Sequence, residues 1–104
     1  MTDKIVVLCT CPSEAEADKL ARALVEQRLA ACVNVIPGLK SFYRWQGKLE
    51  TAGEWLLVIK SSRPRFAELR AALEKLHSYE IPEVIALPVV EGAPNYLHWI
   101  DQNI

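Results

Sequence analysis

The sequence predicts an α+β fold in which a four-stranded antiparallel sheet carries two helices on one face. Three observations lead there. The segments run strand, helix, strand, strand, helix, strand, then a short terminal helix, the order that split βαβ units produce. Between Arg28 and Lys60, two apolar, β-rich arms flank Gln46-Gly47, which reads as one very long hairpin with Phe42, Tyr43, Trp45 and Trp55 near its bend. The chain has 104 residues, no internal repeat and no linker-like stretch, so residues 1–104 form one domain by size.

Each element has a local reason. Lys4–Cys11 (KIVVLCTC) is a continuous run rich in β-branched residues, the pattern of a strand buried on both faces. Pro12-Ser13 stops it. Ser13 and Glu16 have the spacing of a capping box, and Ala17, Leu20, Ala21, Leu24 and Val25 then recur at helical spacing through about Arg28. Ala31–Ile36 is the second strand. Pro37-Gly38 predicts a bulge or bend, because proline cannot donate to a ladder, and the arm resumes to Trp45. It turns at Gln46-Gly47 and returns over Lys48–Ser61, with Trp55–Ile59 expected in the middle of the sheet.

A second helix begins at Ser62 or Arg63, with Phe66, Leu69, Leu73 and Leu76 as its apolar stripe. Ile81-Pro82 ends that connection, and Glu83–Val90 is the fourth strand, with Pro88 marking an edge or a late bulge. Gly92-Ala93-Pro94 breaks the chain before a short helix over Asn95–Ile104, whose Tyr96, Trp99 and Ile100 are placed to pack back. With both helices on one face, the other face of the sheet is bare. Leaving it in water is unfavourable by roughly 25 cal/mol per Å² of apolar surface, so the sequence predicts burial against further copies of the chain in a closed ring.

Composition narrows the function classes. Hydrophobic residues make up 51% and charged residues 24%, which supports a real core and an ordinary soluble surface. A formal net charge of −1, with basic residues interleaved among acids, gives no general attraction for nucleic acid or an anionic membrane. The aromatics near the bend lack the basic neighbours of a base-stacking platform and suit anchoring in a partner chain. The apolar N-terminal run is too short for a signal peptide, and no stretch approaches the ~20 apolar residues of a membrane-spanning helix. Three cysteines make an odd set, which fits a reducing, cytoplasmic setting. There is no Gly-rich phosphate loop, no Gly-x-Ser-x-Gly elbow and no fixed nucleophile–base pair, so the chain does not read as an enzyme.

Few residues have the chemistry of a site. Cys9 and Cys11 lie two apart on a strand, so both sulfurs point to one face; they either meet one soft metal such as Cu(I) or pack as small buried hydrophobes, and the burial tendency of cysteine favours packing. Cys32 falls in the second strand, where packing is again the simpler role. His77, at the end of the second helix, either faces the free carbonyls there or offers a neutral imidazole to a metal. His98 reads as a surface side chain. Lys60, Glu50, Glu54, Tyr79 and Glu80 complete the polar set, with solvation or ion pairing as their default.

Taken in order, VVLCTCPSEAEA at 6–17, the block at 28–50, Lys60, HSYEIPEVIALPV at 77–89 and YLHWI at 96–100 resemble the CutA divalent-cation-tolerance proteins over essentially the whole chain. The resemblance implies a ferredoxin-like βαββαβ fold, similar to the PII signalling proteins, and a homotrimer in which long hairpins complete neighbouring sheets. It implies a role in metal tolerance, copper above all, with no established catalytic activity. Carried over residue by residue, Cys9 and His77 are the implied copper ligands, while Lys60, Tyr79 and Glu80 fall in matching motifs beside a cleft between subunits. A PII-like trimer that binds a small metabolite or a partner protein in such clefts is the alternative. One position departs: Ser78 stands where family members commonly carry proline, which loosens the backbone after His77.

Overall fold

In the computed structural model, which describes residues 1–104, the elements are β1 (Lys4–Cys11), α1 (Glu14–Glu26), β2 (Cys32–Trp45), β3 (Lys48–Ser62), α2 (Phe66–Leu76), β4 (Ile85–Pro88) and α3 (Pro94–Gln102). A single 3-10 turn at Arg63–Arg65 leads into α2. The strands form one sheet in the order β2-β3-β1-β4, and every pairing is antiparallel. This is the predicted ferredoxin-like topology, with the apolar Trp55–Ile59 stretch on an inner strand.

Register decides what each face carries. Ile5, Val7 and Cys9 on β1 stand opposite Ser61, Ile59 and Leu57 on β3, and Cys11 opposite Trp55. These side chains point under the helices, where Leu20 and Leu24 of α1 and Leu69 and Leu73 of α2 close the core over Val7, Cys9, Leu57 and Ile59. The alternate residues form the open face: Val6 opposite Lys60, Leu8 opposite Val58, Thr10 opposite Leu56. Ile36 from β2, and Ile85 and Leu87 from β4, extend that face and remain 46%, 51% and 48% exposed. β1 is therefore fully buried on one face only, with Val6 and Leu8 half-buried on the other, where burial on both faces was expected.

The hairpin turn has positive φ at both central residues, 49° at Gln46 and 79° at Gly47, which is the type I′ geometry that matches the twist of paired strands. The bend predicted at Pro37-Gly38 is a β-bulge. Ile36 faces Leu56 but Leu39 faces Glu54, so β2 holds one residue more than β3 there, and Gly38 takes φ +80°. The ladder then runs unbroken to Trp45 and Lys48, and the arm gives the molecule its long axis of 44 Å against 25 and 24 Å.

Four boundaries differ from expectation. α2 starts at Phe66 rather than at Ser62 or Arg63, because Arg63–Arg65 forms a separate 3-10 turn. β4 spans Ile85–Pro88 rather than Glu83–Val90: Val84 packs against the core, and beyond Pro88 only Val89 keeps contact with the neighbouring strand, its N–H donating to the Lys4 carbonyl (3.0 Å) and its carbonyl accepting the Thr2 N–H (3.2 Å). α3 starts at Pro94, whose fixed φ suits a first helical turn, and only its Ile100 is buried; Tyr96 and Trp99 stack on each other at 5.6 Å and stay 44% and 39% exposed. α1 ends at Glu26 in a Schellman motif: the Leu29 N–H donates to the Leu24 carbonyl (2.9 Å) and the Arg28 N–H to the Val25 carbonyl (3.1 Å).

That motif needs a left-handed residue, and Arg28 supplies it at φ 57°. A side chain with a Cβ is strained there, whereas glycine is not. Arg28→Gly is expected to raise stability by about 0.5–1 kcal/mol. The check is a shift of the denaturant midpoint to higher concentration at unchanged slope.

Candidate functional site

The residues that carry chemistry gather where the end of α2 meets the end of β1. His77 is the C-cap of α2, its N–H donating to the Leu73 carbonyl (2.9 Å), and its ring is buried. Ring atom Nε2 lies 2.7 Å from the Thr10 carbonyl, and Nδ1 accepts the Tyr79 N–H at 3.0 Å. One neutral tautomer satisfies both bonds, with the proton on Nε2 donated to Thr10. Glu16 stands beside the ring, its Oε2 3.3 Å from Nδ1, and the same oxygen accepts the Ser78 N–H at 3.0 Å.

Glu16 therefore does not complete the capping box. Ser13 Oγ accepts the Glu16 N–H at 3.1 Å as predicted, but the Glu16 carboxylate reaches to the 77–78 peptide instead of back to the cap. Ser78, expected to loosen the backbone after His77, is tethered through an N–H that proline does not have.

The thiols sit beneath this junction. Cys9 is fully buried, its Sγ 3.7 Å from the same Thr10 carbonyl, and burial pushes its pKa up from 9.0 to about 12. Cys11 is also fully buried, donates to the Ser13 carbonyl at 3.7 Å, and is shifted upward by burial. Cys9 and His77 thus converge on one carbonyl oxygen. No group of three or more His, Cys, Asp or Glu side chains is arranged around a common point for an ion. Cys32 lies on the open face, 3.9 Å from the Tyr96 hydroxyl. Lys60 pairs with Asn34 beside Val6, at the other end of the sheet from Thr10, so within one chain it does not approach Tyr79 or Glu80. His98 is on the surface, as expected.

Above the junction opens a cleft of about 730 Å³ between the outer hairpin and the segment that carries the chain from α2 to β4. Thr10, Ser41, Phe42, Tyr43, Trp45 and Glu54 form one wall and Ser78, Tyr79, Glu80, Ile81, Pro82 and Glu83 the other. Glu54 is only 5% exposed and accepts a hydrogen bond from the Tyr79 hydroxyl at 2.7 Å. Burial first, and the bond to Glu54 second, raise the Tyr79 pKa above the ordinary phenol value. The Tyr79 ring packs against His77 at 4.8 Å, so a continuous path of contacts joins Thr10, His77, Tyr79 and Glu54. Sequence reasoning grouped Glu54 with solvated charges. The missed signal was strand alternation, which puts an acid on the face that carries Leu56 and Val58.

Fold and site together define a class: α+β proteins with a ferredoxin-like sheet, an overlong bulged hairpin and an acidic, aromatic cleft at its base. Residues 5–103 match the family described as CutA1 divalent ion tolerance protein, and the chain belongs to that family. It is 50% identical over 98 residues to a divalent-cation tolerance protein CutA of Thermus thermophilus, covering 94% of this chain and 95% of that one. The crystal structure of CutA from Xylella fastidiosa superposes with TM-score 0.97 at 44% identity, over 99% of both chains. A structure from Archaeoglobus fulgidus, described as a periplasmic divalent cation tolerance protein CutA, does so with TM-score 0.93 at 40% identity, over 96% of this chain and 97% of that one. The relatives' names carry a role in metal tolerance and no catalytic activity.

Cys9, Cys11, Tyr79, Tyr96 and Lys4 all have pKa values raised above their ordinary ones. The folded state therefore holds these protons more tightly than the unfolded chain, and the stability this gives is complete below the unfolded pKa values and lost as pH rises through the folded ones. Melting temperature is expected to fall once pH passes about 8.5, where an unfolded cysteine ionises. Thermal melts at neutral and alkaline pH check this, with a shallower fall in Cys9→Ala.

Proposed function

We propose that this protein serves metal tolerance as a cytoplasmic homotrimer, with copper as its cation and Cys9 and His77 as the ligand pair. The observation that supports the pair is their convergence: the Cys9 sulfur and His77 Nε2 lie 3.7 and 2.7 Å from the same Thr10 carbonyl oxygen. Thiolate sulfur with imidazole nitrogen is a donor set that suits copper. As folded, both donors are engaged with that carbonyl, and the thiol keeps its proton to about pH 12, so a proton competes with the metal at neutral pH. Two ligands also leave copper under-coordinated, and further donors come from outside the pair. Binding is therefore expected to be weak and to strengthen by up to tenfold per pH unit, one thiol proton being released. Calorimetric titration with copper at two pH values, on the wild type and on Cys9→Ala with His77→Ala, is the test. Loss of binding in the double variant is expected; an unchanged affinity removes this pair.

The trimer reading is supported by the apolar open face and by the exposed hairpin side chains Phe42, Tyr43 and Leu49, which are 64%, 43% and 72% exposed in one chain. Melting temperature should rise with protein concentration, and sedimentation should give the mass of three chains. A monomer at micromolar dilution overturns it. The cytoplasmic assignment rests on three unpaired thiols. No helix is long and apolar enough to cross a membrane. The cleft favours a second reading, a PII-like trimer that binds a metabolite or a partner protein; native mass spectrometry of protein taken from cells, searched for a retained organic ligand, distinguishes the two. Catalysis is not assigned, because the Cys9 thiol is buried and protonated and both His77 nitrogens are engaged.

A further inference from the structure

We propose that Glu16 is the positioning residue for His77, stabilising the ring tautomer that leaves Nε2 free to act as a metal ligand. The proposal rests on the reading of Cys9 and His77 as the ligand pair and deepens it. It starts from a contact that the hydrogen bonds of the folded chain leave unexplained. Glu16 Oε2 lies 3.3 Å from His77 Nδ1, with the histidine side chain fully buried and that of Glu16 only 14% exposed. With the ring proton on Nε2, toward the Thr10 carbonyl at 2.7 Å, Nδ1 has no proton to offer and accepts the Tyr79 N–H instead. A carboxylate oxygen then faces a nitrogen lone pair, and nothing between the two attracts. The Ser78 N–H, at 3.0 Å, is what holds the oxygen there.

The other neutral tautomer turns that contact into a bond. An imidazole that lends Nε2 to a metal carries its proton on Nδ1, and metal-ligating histidines ordinarily donate that second N–H to a carboxylate or a carbonyl. In this chain the acceptor already stands in place. Oε2 keeps a lone pair beyond the one that Ser78 uses, and a shift of about 0.3 Å brings it to ordinary hydrogen-bond length. The exchange moves one proton from Nε2 to Nδ1 and releases none from the ring, so the Cys9 thiol proton is the one lost to solvent. It also has a cost, because the Tyr79 N–H loses Nδ1 as its acceptor. An anionic acceptor offsets that loss better than a neutral one, charge-assisted bonds being roughly twice as strong. These contacts join α1, the end of β1 and the residues after α2 within one chain, and none involves the hairpin.

The test is NMR of the full-length protein with nitrogen-15-labelled histidine, recorded without metal and with stoichiometric Cu(I) under argon, the exposed His98 serving as internal reference. The His77 ring is expected to carry its proton on Nε2 in the first state and on Nδ1 in the second, a signature that a merely structural role for Glu16 would not produce. Cu(I) affinity, read by competition with a chromogenic chelator, should fall about 10–100-fold in Glu16→Ala. Glu16→Gln keeps an oxygen for Nδ1 and for the Ser78 N–H without the charge, and should recover part of that loss. A ring proton that stays on Nε2 with Cu(I) bound, a ring protonated at both nitrogens without metal, or full affinity in Glu16→Ala overturns the proposal. Cys9→Ala with His77→Ala separates the two readings. Lost binding there beside full affinity in Glu16→Ala sinks the role of Glu16 alone, whereas unchanged affinity in the double variant removes the ligand pair and Glu16 with it.

Discussion

A buried hydrogen bond of 2.7 Å between His77 and the Thr10 carbonyl fixes the position of the segment on which the cleft depends. α2 leaves the core at Leu76, and the chain must pass the end of β1 to reach the far edge of the sheet as β4. Nothing in the helix or in the strand specifies that path. The imidazole does, because its two nitrogens bind groups on either side of it: the end of β1 through Nε2 and the backbone of Tyr79 through Nδ1. A neutral histidine is suited to the task, being donor and acceptor in one rigid ring. Tyr79 is then held where its hydroxyl meets Glu54, and the wall of the cleft follows. An apolar ring of similar size would fill the space but leave the Tyr79 N–H unpaired, at about 1–3 kcal/mol, and the Thr10 carbonyl with only the weak Cys9 thiol as side-chain partner.

The bulge at Pro37-Gly38 does the corresponding work on the other wall. It adds one residue to β2, so that beyond it Leu39, Ser41, Tyr43 and Trp45 share a face with Glu54, Ala52, Glu50 and Lys48. Without the extra residue the pairing beyond Ile36 would slip by one, and the opposite set of β2 side chains would stand beside Glu54. Tyr43 and Trp45 reach the cleft because of a proline that cannot donate and a glycine that accepts φ +80°. Local backbone chemistry thereby sets the composition of a binding surface several residues away.

Much of this was legible in the sequence, and what was not legible has a common cause. Periodicity, β-branched runs and turn residues are local signals, and they gave β1 to the residue, the turn at Gln46-Gly47, a bulge or bend at Pro37-Gly38 and the core stripe of Leu69 and Leu73. The misread start of β4 lies where a residue can serve either the ladder or the core, as Val84 does. The site was only partly legible for the same reason. Cys9 and His77 were singled out one at a time, but their meeting at Thr10 requires contact across 67 positions of chain. Glu16 was read as half of a local cap, and its tie to Ser78, across 62 positions, carries no sequence signature.

Ser78 shows how far such a tie can reverse a local reading. A proline at 78 would be compatible with His77, whose φ of −73° and ψ of 145° already lie in the extended region that precedes proline. It would also stiffen the unfolded chain, a gain of at most about 1 kcal/mol. Serine forgoes that gain and keeps an N–H, which donates to Glu16 and holds its carboxylate 3.3 Å from His77 Nδ1. The Glu16 side chain is only 14% exposed, but Ser78 lies at the surface, so this bond competes with water and contributes about 0.5–1.5 kcal/mol. The two terms are of similar size. The serine therefore does not mark a loosened loop; it exchanges stiffness supplied by a ring for stiffness supplied by a hydrogen bond, and it places a carboxylate against the one histidine that orders the site.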